Sequence, residues 1–265
     1  MSPRFGFTIL GSGSGGNSSV VHGPDGNLLL DEGFSGKELL RRLNSVGVNP
    51  ASIRAILITH AHNDHMNKCG CAFLARKLNI PVYLVQGTIE ELRERNINIP
   101  KKTELFRHDD EFDLCGIHVE TFAVSHDVTA VGFAFSALGH KIGYATDLGF
   151  ASDRVKEVLS GCDLLVLESN YDTKMLRMSA RRLDLKRRIE STHGHLGNTQ
   201  TMNALGELLS DNTKHLILAH ISRDCNDPEL LAERTRGKLA ELNRQDVSFC
   251  LASQSDPLDT ICLDE

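Results

Sequence analysis

A cluster of three histidines and one aspartate within six residues constrains this chain more than any other feature. The four side chains are His60, His62, Asp64 and His65. They follow a short apolar, β-branched run from Ala55 to Thr59, which predicts a buried strand with the loop at its carboxyl end. Imidazole and carboxylate groups together suit zinc, manganese or iron, whereas calcium and magnesium favour oxygen ligands alone. Four ligands in one loop are more than one metal site needs from it. The alternative to a metal site is a polar surface loop with incidental histidines.

Length and composition indicate a globular protein. With 265 residues, 40% of them hydrophobic, the chain can bury a substantial core, and we expect one domain over 1–265. No stretch approaches the roughly 18 consecutive apolar residues that span a bilayer, and Met1 to Leu10 lacks the pattern of a signal peptide. We therefore expect a cytoplasmic protein with no membrane partner. The oligomeric state is left open.

The seven cysteines are scattered and odd in number, which predicts reduced thiols rather than a secreted disulfide framework. Cys69-Gly70-Cys71 lacks a second pair at zinc-ribbon spacing, so we interpret it as thiols packed on a helix rather than as a metal site.

Charge is distributed unevenly along the chain. The formal net charge is −6, yet the segment 174–188 alone carries +6 and the remainder −12. Arg and Lys neutralise phosphates, so this segment predicts contact with a nucleic-acid backbone. A solvated helix face is the alternative. Aromatic residues make up only 5% and Trp is absent, which argues against extensive base stacking.

The remaining patterns predict an α/β (α+β) fold with four layers, an αββα sandwich. The sequence has two β-rich halves, each followed by helices, and this order fits the sandwich better than a doubly wound parallel sheet. In addition to the strand at 55–59, strands are predicted at 5–10, 18–22, 28–31, 82–85, 117–123, 131–136, 141–145, 164–168, 215–218 and 247–251. Helices are predicted at 35–46, where Ser35 and Glu38 form a capping box, and at 67–78, 88–95, 152–159, 198–209 and 228–242.

The pattern His-x-His-x-Asp-His after a strand resembles the metallo-β-lactamase superfamily, over nearly the whole chain. The resemblance implies the αββα metallo-β-lactamase sandwich and two divalent metal ions, Zn²⁺ or Mn²⁺ with Fe possible, roughly 3.5 to 4 Å apart. It implies that the first metal is bound by His60, His62 and His126. It implies that the second is bound by Asp64, His65 and His220, and that Asp147 lies between the two metals.

Four further segments are similar to the YycJ (WalJ) group, which is related to tRNase Z and the phosphodiesterase branch. They begin at Gly11, Leu167, Met175 and Gly194. This resemblance implies a DNA exonuclease of 5′-to-3′ polarity that cleaves phosphodiesters with a metal-activated water. Two positions depart from the group: Tyr171 stands where a histidine is expected, and the segment 222–226 is Ser-Arg-Asp-Cys-Asn. Both are candidates to face the cleft, with Cys225 near the metals.

The resemblance also implies roles in catalysis and binding. Asp64 orients the attacking water, and His195 of the Gly194-His195 step is the candidate general acid. Alternatively, His195 binds the backbone at a helix start, a role that His193 would suit equally. The Gly/Ser loop 11–17 is either a simple turn or a phosphate contact. The candidate substrate-binding residues are Ser12, Ser14, Asn17, Asn170, Arg177, Arg181 and Arg182.

Two other functions compete with the nuclease. One is a small-substrate hydrolase, either a cyclic or short phosphodiesterase or, less in keeping with the motifs, a lactamase or thioesterase. The other is a regulatory partner whose metal site is structural. A structural zinc site saturates its coordination with protein ligands, whereas seven candidate ligands for two metals leave room for water or substrate, which favours catalysis.

Overall fold

Two mixed β-sheets lie face to face in this computed structural model, which describes residues 5–67 and 72–264. The first sheet has the strands β1 (Gly6–Gly11), β2 (Ser18–His22), β3 (Asn27–Leu30), β4 (Ile53–Leu57), β5 (Val82–Val85), β6 (Thr103–Phe106) and β14 (Ile261–Cys262), in the order β14-β1-β2-β3-β4-β5-β6. The second has β7 (Glu111–Leu114), β8 (Ile117–Val124), β9 (Ala130–Ala137), β10 (His140–Ala145), β11 (Leu164–Glu168), β12 (His215–Ala219) and β13 (Ser248–Leu251), in the order β13-β12-β11-β10-β9-β8-β7.

Each sheet is antiparallel in one half and parallel in the other. The strands β3 to β6 pair in parallel in the first sheet, and β10 to β13 do so in the second. Parallel neighbours end at the same edge of a sheet, so the loops after β10, β11 and β12 can converge, and the loop after β4 meets them from the first sheet. The predicted metal-binding residues lie mainly in these loops.

Helices flank the two sheets. They are α1 (Gly36–Ser45), α2 (Phe73–Leu78), α3 (Gln86–Glu94), α4 (Asp153–Leu159), α5 (Thr173–Met178), α6 (Leu183–Glu190), α7 (Asn198–Leu208) and α8 (Pro228–Glu241). Leucines of α1 to α3 pack on the first sheet, and apolar residues of α4, α7 and α8 pack on the second. A third apolar cluster fills the space between the sheets.

The strand β9 illustrates how the sequence produces these layers. Successive side chains of a strand point to opposite faces of its sheet. Val131, Phe133 and Phe135 therefore face the cluster between the sheets, whereas Ala130 and Ala134 face the helices. The predicted αββα sandwich is confirmed.

The helix predictions need three corrections. Ser35 caps α1 by accepting from the Glu38 N–H, but the Glu38 carboxylate pairs with Arg41 and Arg42 instead of closing a capping box. The helix predicted over 67–78 begins at Phe73 in the part that the structure describes, and Cys69-Gly70-Cys71 lies outside the described residues. The helices α5 and α6 were not among the predicted helices, although a solvated helix face was the alternative interpretation of the basic segment 174–188.

The strands β6, β7 and β14 were also not predicted. Each has four residues or fewer. Alternation of apolar and polar residues over so short a span does not distinguish a strand from a loop.

Candidate metal centre

The predicted metal-binding residues come together at one end of the sandwich. The loop after β4 carries four of them, and His126, Asp147 and His220 follow β8, β10 and β12 within two residues. Asp147 and His220 have positive backbone φ angles of 58° and 54°. A non-glycine residue stays in this left-handed region only where its surroundings hold it, and such residues cluster at functional sites.

Three histidines form the first group of possible ligands. One nitrogen from each of His60, His62 and His126 lies within 4.8 Å of the other two. Nδ1 of His62 and Nε2 of His126 are 3.4 Å apart. His126 directs its other ring nitrogen, Nδ1, to the Gly194 carbonyl at 3.1 Å, which leaves Nε2 directed at the group.

Asp64, His65 and His220 form a second group within the same 4.8 Å limit. Asp64 Oδ2 lies 3.7 Å from Nε2 of His65 and 3.5 Å from Nε2 of His220. Asp147 joins the two groups, because it clusters with His60 and His65, and its Oδ2 is 3.1 Å from Nε2 of His65. The geometry brings together all seven residues that the resemblance implied.

The donor set fits divalent metal ions. Nε2 of His60 and Nε2 of His220 are buried without a hydrogen-bond partner among the described residues. Buried polar atoms without partners are rare and unfavourable, and each needs an explanation. A cation bound by these nitrogens would explain both atoms, and a mixture of imidazole and carboxylate suits zinc, manganese or iron.

Burial prepares two of the imidazoles for this role. It is the main reason why the pKa of His60 and the pKa of His126 lie below the ordinary value. Metal ligation requires the neutral imidazole, so a lowered pKa keeps these nitrogens available at neutral pH.

Buried acidic residues position the histidines of the second group. Asp31 accepts a hydrogen bond from Nδ1 of His65 at 2.7 Å and from the backbone N–H of Thr59 at 2.8 Å. Burial by itself lowers the pKa of an imidazole, but the carboxylates of Asp147 and Asp31 outweigh it and raise the pKa of His65. With Nδ1 bonded to a carboxylate, Nε2 is the nitrogen of His65 that is directed at the possible metal site.

Glu168 connects the second group to His195. Its side chain is fully buried, and Oε1 accepts from Nδ1 of His195 at 2.8 Å and from Nδ1 of His220 at 2.7 Å. Oε2 accepts from the backbone N–H groups of Leu148 and Leu196. Glu168 is not among the site residues predicted from the sequence. The available signal was an acidic residue at the end of the apolar strand β11, since a buried glutamate needs partners.

His195 lies at the opening of the site. It lines a cavity of about 190 Å³ together with residues of both groups. Burial lowers the pKa of His195, but Glu168 outweighs this effect and raises it. The ring nitrogen Nδ1 of His195 bonds to the Glu168 side chain. It does not bind the backbone at the start of a helix, which was the alternative interpretation. His193 lines the same cavity but is exposed.

The candidate substrate-binding residues divide into two sets. Ser14, Asn170 and Arg181 line the cavity. Arg177 and Arg182 do not, and they pair with Glu190 and Asp184.

Ser12 and Asn17 are buried behind the possible ligands. Ser12 Oγ accepts from the His220 N–H at 2.9 Å and donates to Asn17 Oδ1 at 3.0 Å, while Asn17 Nδ2 lies 2.9 Å from Nε2 of His65. These two residues therefore position the ligand loops instead of facing a phosphate. Arg188 also lines the cavity, although it is not among the predicted substrate-binding residues.

Comparison with known proteins places this architecture in a family. Residues 26–221 match the Beta-lactamase superfamily domain. The exodeoxyribonuclease YycJ of Bacillus anthracis is 39% identical over 226 residues, which are 84% of this chain and 85% of the relative. The chain belongs to the metallo-β-lactamase superfamily. Within it, the chain is a member of the group that contains YycJ, and like the superfamily's hydrolases it is a metal-dependent enzyme.

Two further comparisons agree with this membership. The exodeoxyribonuclease WalJ of Streptococcus pneumoniae is 34% identical over 242 residues, 89% of each chain. The crystal structure of the metallo-β-lactamase fold protein YhfI from Bacillus subtilis superposes with a TM-score of 0.71 and 17% identity, covering 96% of this chain and 99% of that one. The second likeness shows the metallo-β-lactamase fold alone.

The two departures from the group's motifs turn out to be neighbours. Tyr171 and Cys225 are buried in one small cluster with Leu176 and Ile189, and the Tyr171 hydroxyl donates to Gln200 at 3.3 Å. Neither side chain lines the cavity. The expectation that they face the cleft, with Cys225 near the metals, was wrong, because both complete an apolar contact beneath α5 and α6.

Among the described residues, no helix is long and apolar enough to cross a membrane.

Proposed function

We propose that the protein is a metal-dependent DNA exonuclease that binds two divalent ions and uses His195 as its general acid. The observation that carries the proposal is the clustering of seven imidazole and carboxylate residues at one cavity, which five of them line together with His195, the partner of Glu168. The group contains YycJ and WalJ, both of which are named exodeoxyribonucleases. We extend that substrate, and the 5′-to-3′ polarity expected from the sequence, to this chain.

The chain's own residues divide between the two ions. His60, His62 and His126 would hold the first, Asp64, His65 and His220 the second, and Asp147 would contact both. Zinc and manganese fit the donors best, and iron remains compatible with them. Divalent ions bound there supply a water of lowered pKa and neutralise charge on the phosphate.

Asp64 is suited to orient the attacking water. Its side chain lines the cavity and is 21% exposed, whereas the side chains of His65 and Asp147 are only 0% and 3% exposed. Asn17 Nδ2 lies 3.3 Å from Asp64 Oδ2 and restricts the rotation of the carboxylate. A carboxylate so placed can accept a hydrogen bond from a water in the cavity.

His195 is suited to protonate the leaving oxygen. The bond from Nδ1 to Glu168 fixes the ring, so Nε2 is the nitrogen left for the substrate. The raised pKa of His195 keeps this nitrogen protonated near neutral pH. A general acid with a pKa near the working pH donates its proton efficiently.

The substrate would lie along the cavity. Ser14, Asn170 and Arg181 are placed to contact its phosphates or sugars. Contacts to the backbone carry no sequence information, which suits an enzyme that degrades DNA of any sequence. We place this single-domain enzyme in the cytoplasm, where its DNA substrate lies and where thiols such as Cys162 and Cys225 stay reduced.

Digestion of end-labelled DNA tests the proposal. Duplex and single-stranded DNA labelled at the 5′ or the 3′ end, with RNA in parallel, are incubated with the protein and manganese or zinc. Metal-dependent release of mononucleotides from DNA that is abolished in Asp64→Asn supports a nuclease, and the labelled end gives its polarity. Hydrolysis of bis-p-nitrophenyl phosphate without any cleavage of nucleic acid would favour the small-substrate phosphodiesterase instead.

A further inference from the structure

The cavity at the candidate metal centre has two chemically different walls. One wall carries possible metal ligands such as His62 and Asp64, and the other is formed by α6 and its flanking residues. Leu185, Arg188 and Ile189 of α6 line the cavity, and their spacing of three and four residues places them on one helical face. The second wall is therefore cationic and apolar, whereas the first is built from imidazoles and carboxylates.

Arg188 is held over the cavity by an ion pair with Asp127. The other Asp127 oxygen lies 3.4 Å from Nε2 of His62 and 3.3 Å from Nε2 of His126, so the guanidinium is close to the first ligand group. The Arg188 side chain is 56% exposed. A guanidinium has five N–H donors, and an exposed ion pair is weak, so Arg188 can bind a second anion.

Arg181 provides a second guanidinium at the same cavity. Its Nη2 lies 3.2 Å from Asp224 Oδ2, and the Asp224 carboxylate is 73% exposed. This contact also leaves donors available. Of the five arginines in the basic segment 174–188, Arg181 and Arg188 line the cavity.

We propose that Arg181 and Arg188 bind a terminal phosphomonoester of the DNA strand, adjacent to the diester that is cleaved. This inference rests on the proposed nuclease function and deepens it. A phosphomonoester carries about 1.5 to 2 negative charges at pH 7 and three strong acceptor oxygens, more charge than one internal diester offers. Arginine binds phosphate through two parallel hydrogen bonds, which makes two guanidinium groups a suitable receptor.

The two walls then have separate tasks. The ligand wall meets the cleaved diester, and the arginine wall recognises the strand end. Leu185 and Ile189 offer apolar contact to the sugar between the two phosphates. An enzyme that needs a terminal phosphate for tight binding starts at strand ends, which explains exonuclease rather than endonuclease action.

The test compares three short DNA duplexes of one sequence, which carry a 5′-phosphate, a 3′-phosphate or hydroxyl groups at all ends. We expect kcat/KM to be at least roughly tenfold higher for one of the phosphorylated duplexes than for the hydroxyl duplex, since charge-assisted hydrogen bonds have at least this effect. The preferred duplex identifies the end that the arginines bind. Arg188→Gln and Arg181→Gln should each remove most of the preference.

Arg187→Gln is the matched control, because Arg187 lies on the same helix but does not line the cavity. It removes the same charge and should keep the preference. Equal rates on the three duplexes, or an Arg187→Gln variant that loses the preference as fully as Arg188→Gln, would overturn the inference while leaving the nuclease proposal intact. No DNA cleavage at all, with bis-p-nitrophenyl phosphate still hydrolysed, would overturn both.

Discussion

Replacing Glu168 by glutamine tests whether one buried carboxylate organises both the general acid and the second metal site. Glu168 accepts four hydrogen bonds, two from the Nδ1 atoms of His195 and His220 and two from backbone N–H groups. All four partners are donors. A glutamine has one acceptor oxygen and one NH₂ group, so in either orientation its NH₂ faces two donors.

The magnitude follows from the bond to His220. If the NH₂ group faces the imidazoles, Nδ1 of His220 must become an acceptor, which moves the proton to Nε2, the nitrogen directed at the second metal site. Changes of this kind behind a metal ligand reduce metal affinity or activity about 10- to 100-fold. That range corresponds to roughly 1.4 to 2.8 kcal/mol. We expect the affinity for the second ion, at Asp64, His65 and His220, to fall by this factor in Glu168→Gln.

The assay is competition for zinc or manganese between the metal-free protein and a chelating dye. Asp163→Asn is the matched control, because the Asp163 carboxylate also joins an imidazole, Nδ1 of His140 at 3.2 Å, to the Lys141 backbone N–H at 2.8 Å, but at the opposite end of β11. The control should keep wild-type metal affinity. Metal affinity in Glu168→Gln equal to that of the control would refute the reasoning.

Three further predictions concern other parts of the chain. Asp31→Asn should weaken binding of the second ion about 10- to 100-fold in the same dye assay, because its single acceptor oxygen cannot serve both Nδ1 of His65 and the Thr59 N–H, and unchanged affinity would show that Asp31 does not fix the ring. His195→Ala should lower kcat about 10²- to 10⁴-fold with little change in KM, and wild-type activity should fall as pH rises through the raised pKa of His195; an equal rise in KM would indicate a binding role. Burial lowers the pKa of His22 to about 4, so the unfolded chain takes up this proton first as pH falls. The contribution of His22 to the free energy of unfolding should be complete above the unfolded pKa near 6.5 and should be smaller by about 3 kcal/mol at pH 4. Urea unfolding at several pH values measures it. A His22→Gln variant whose free energy of unfolding depends on pH as steeply as that of the wild type would contradict this prediction.

The metal-binding loop could be predicted because its information is local. His60, His62, Asp64 and His65 are close in sequence, and the strand β4 that precedes them ends in three buried apolar residues. The overall sandwich could be predicted because strand and helix periodicity is also local. Strand β11 was predicted with its exact ends.

The residues that support the ligands could not be assigned in this way, because their roles depend on distant partners. Asp31 meets His65, and Glu168 meets both His195 and His220, only after the strands have aligned. A single buried acidic residue in the sequence indicates that a partner exists but does not identify it. The contacts appear only with the three-dimensional arrangement.

The basic segment shows a different limit. Its charge was evident, but the face that each arginine presents depends on the start of α6 at Leu183 and on the turn before it. Arg177 and Arg182, which were expected at the substrate, pair with acidic residues outside the cavity, whereas Arg188 faces the cavity. Counting charges predicts a basic surface, while the helical register decides which residues reach the site.

The central claim is that this chain binds two divalent ions through a shared Asp147. Crystals of the protein grown with manganese or zinc, and measured by anomalous scattering at the absorption edge of the metal, test it most directly. We expect two anomalous peaks roughly 3.5 to 4 Å apart, one at His60, His62 and His126 and the other at Asp64, His65 and His220, with Asp147 between them. A single peak at saturating metal, or two peaks that do not share Asp147, would contradict the account.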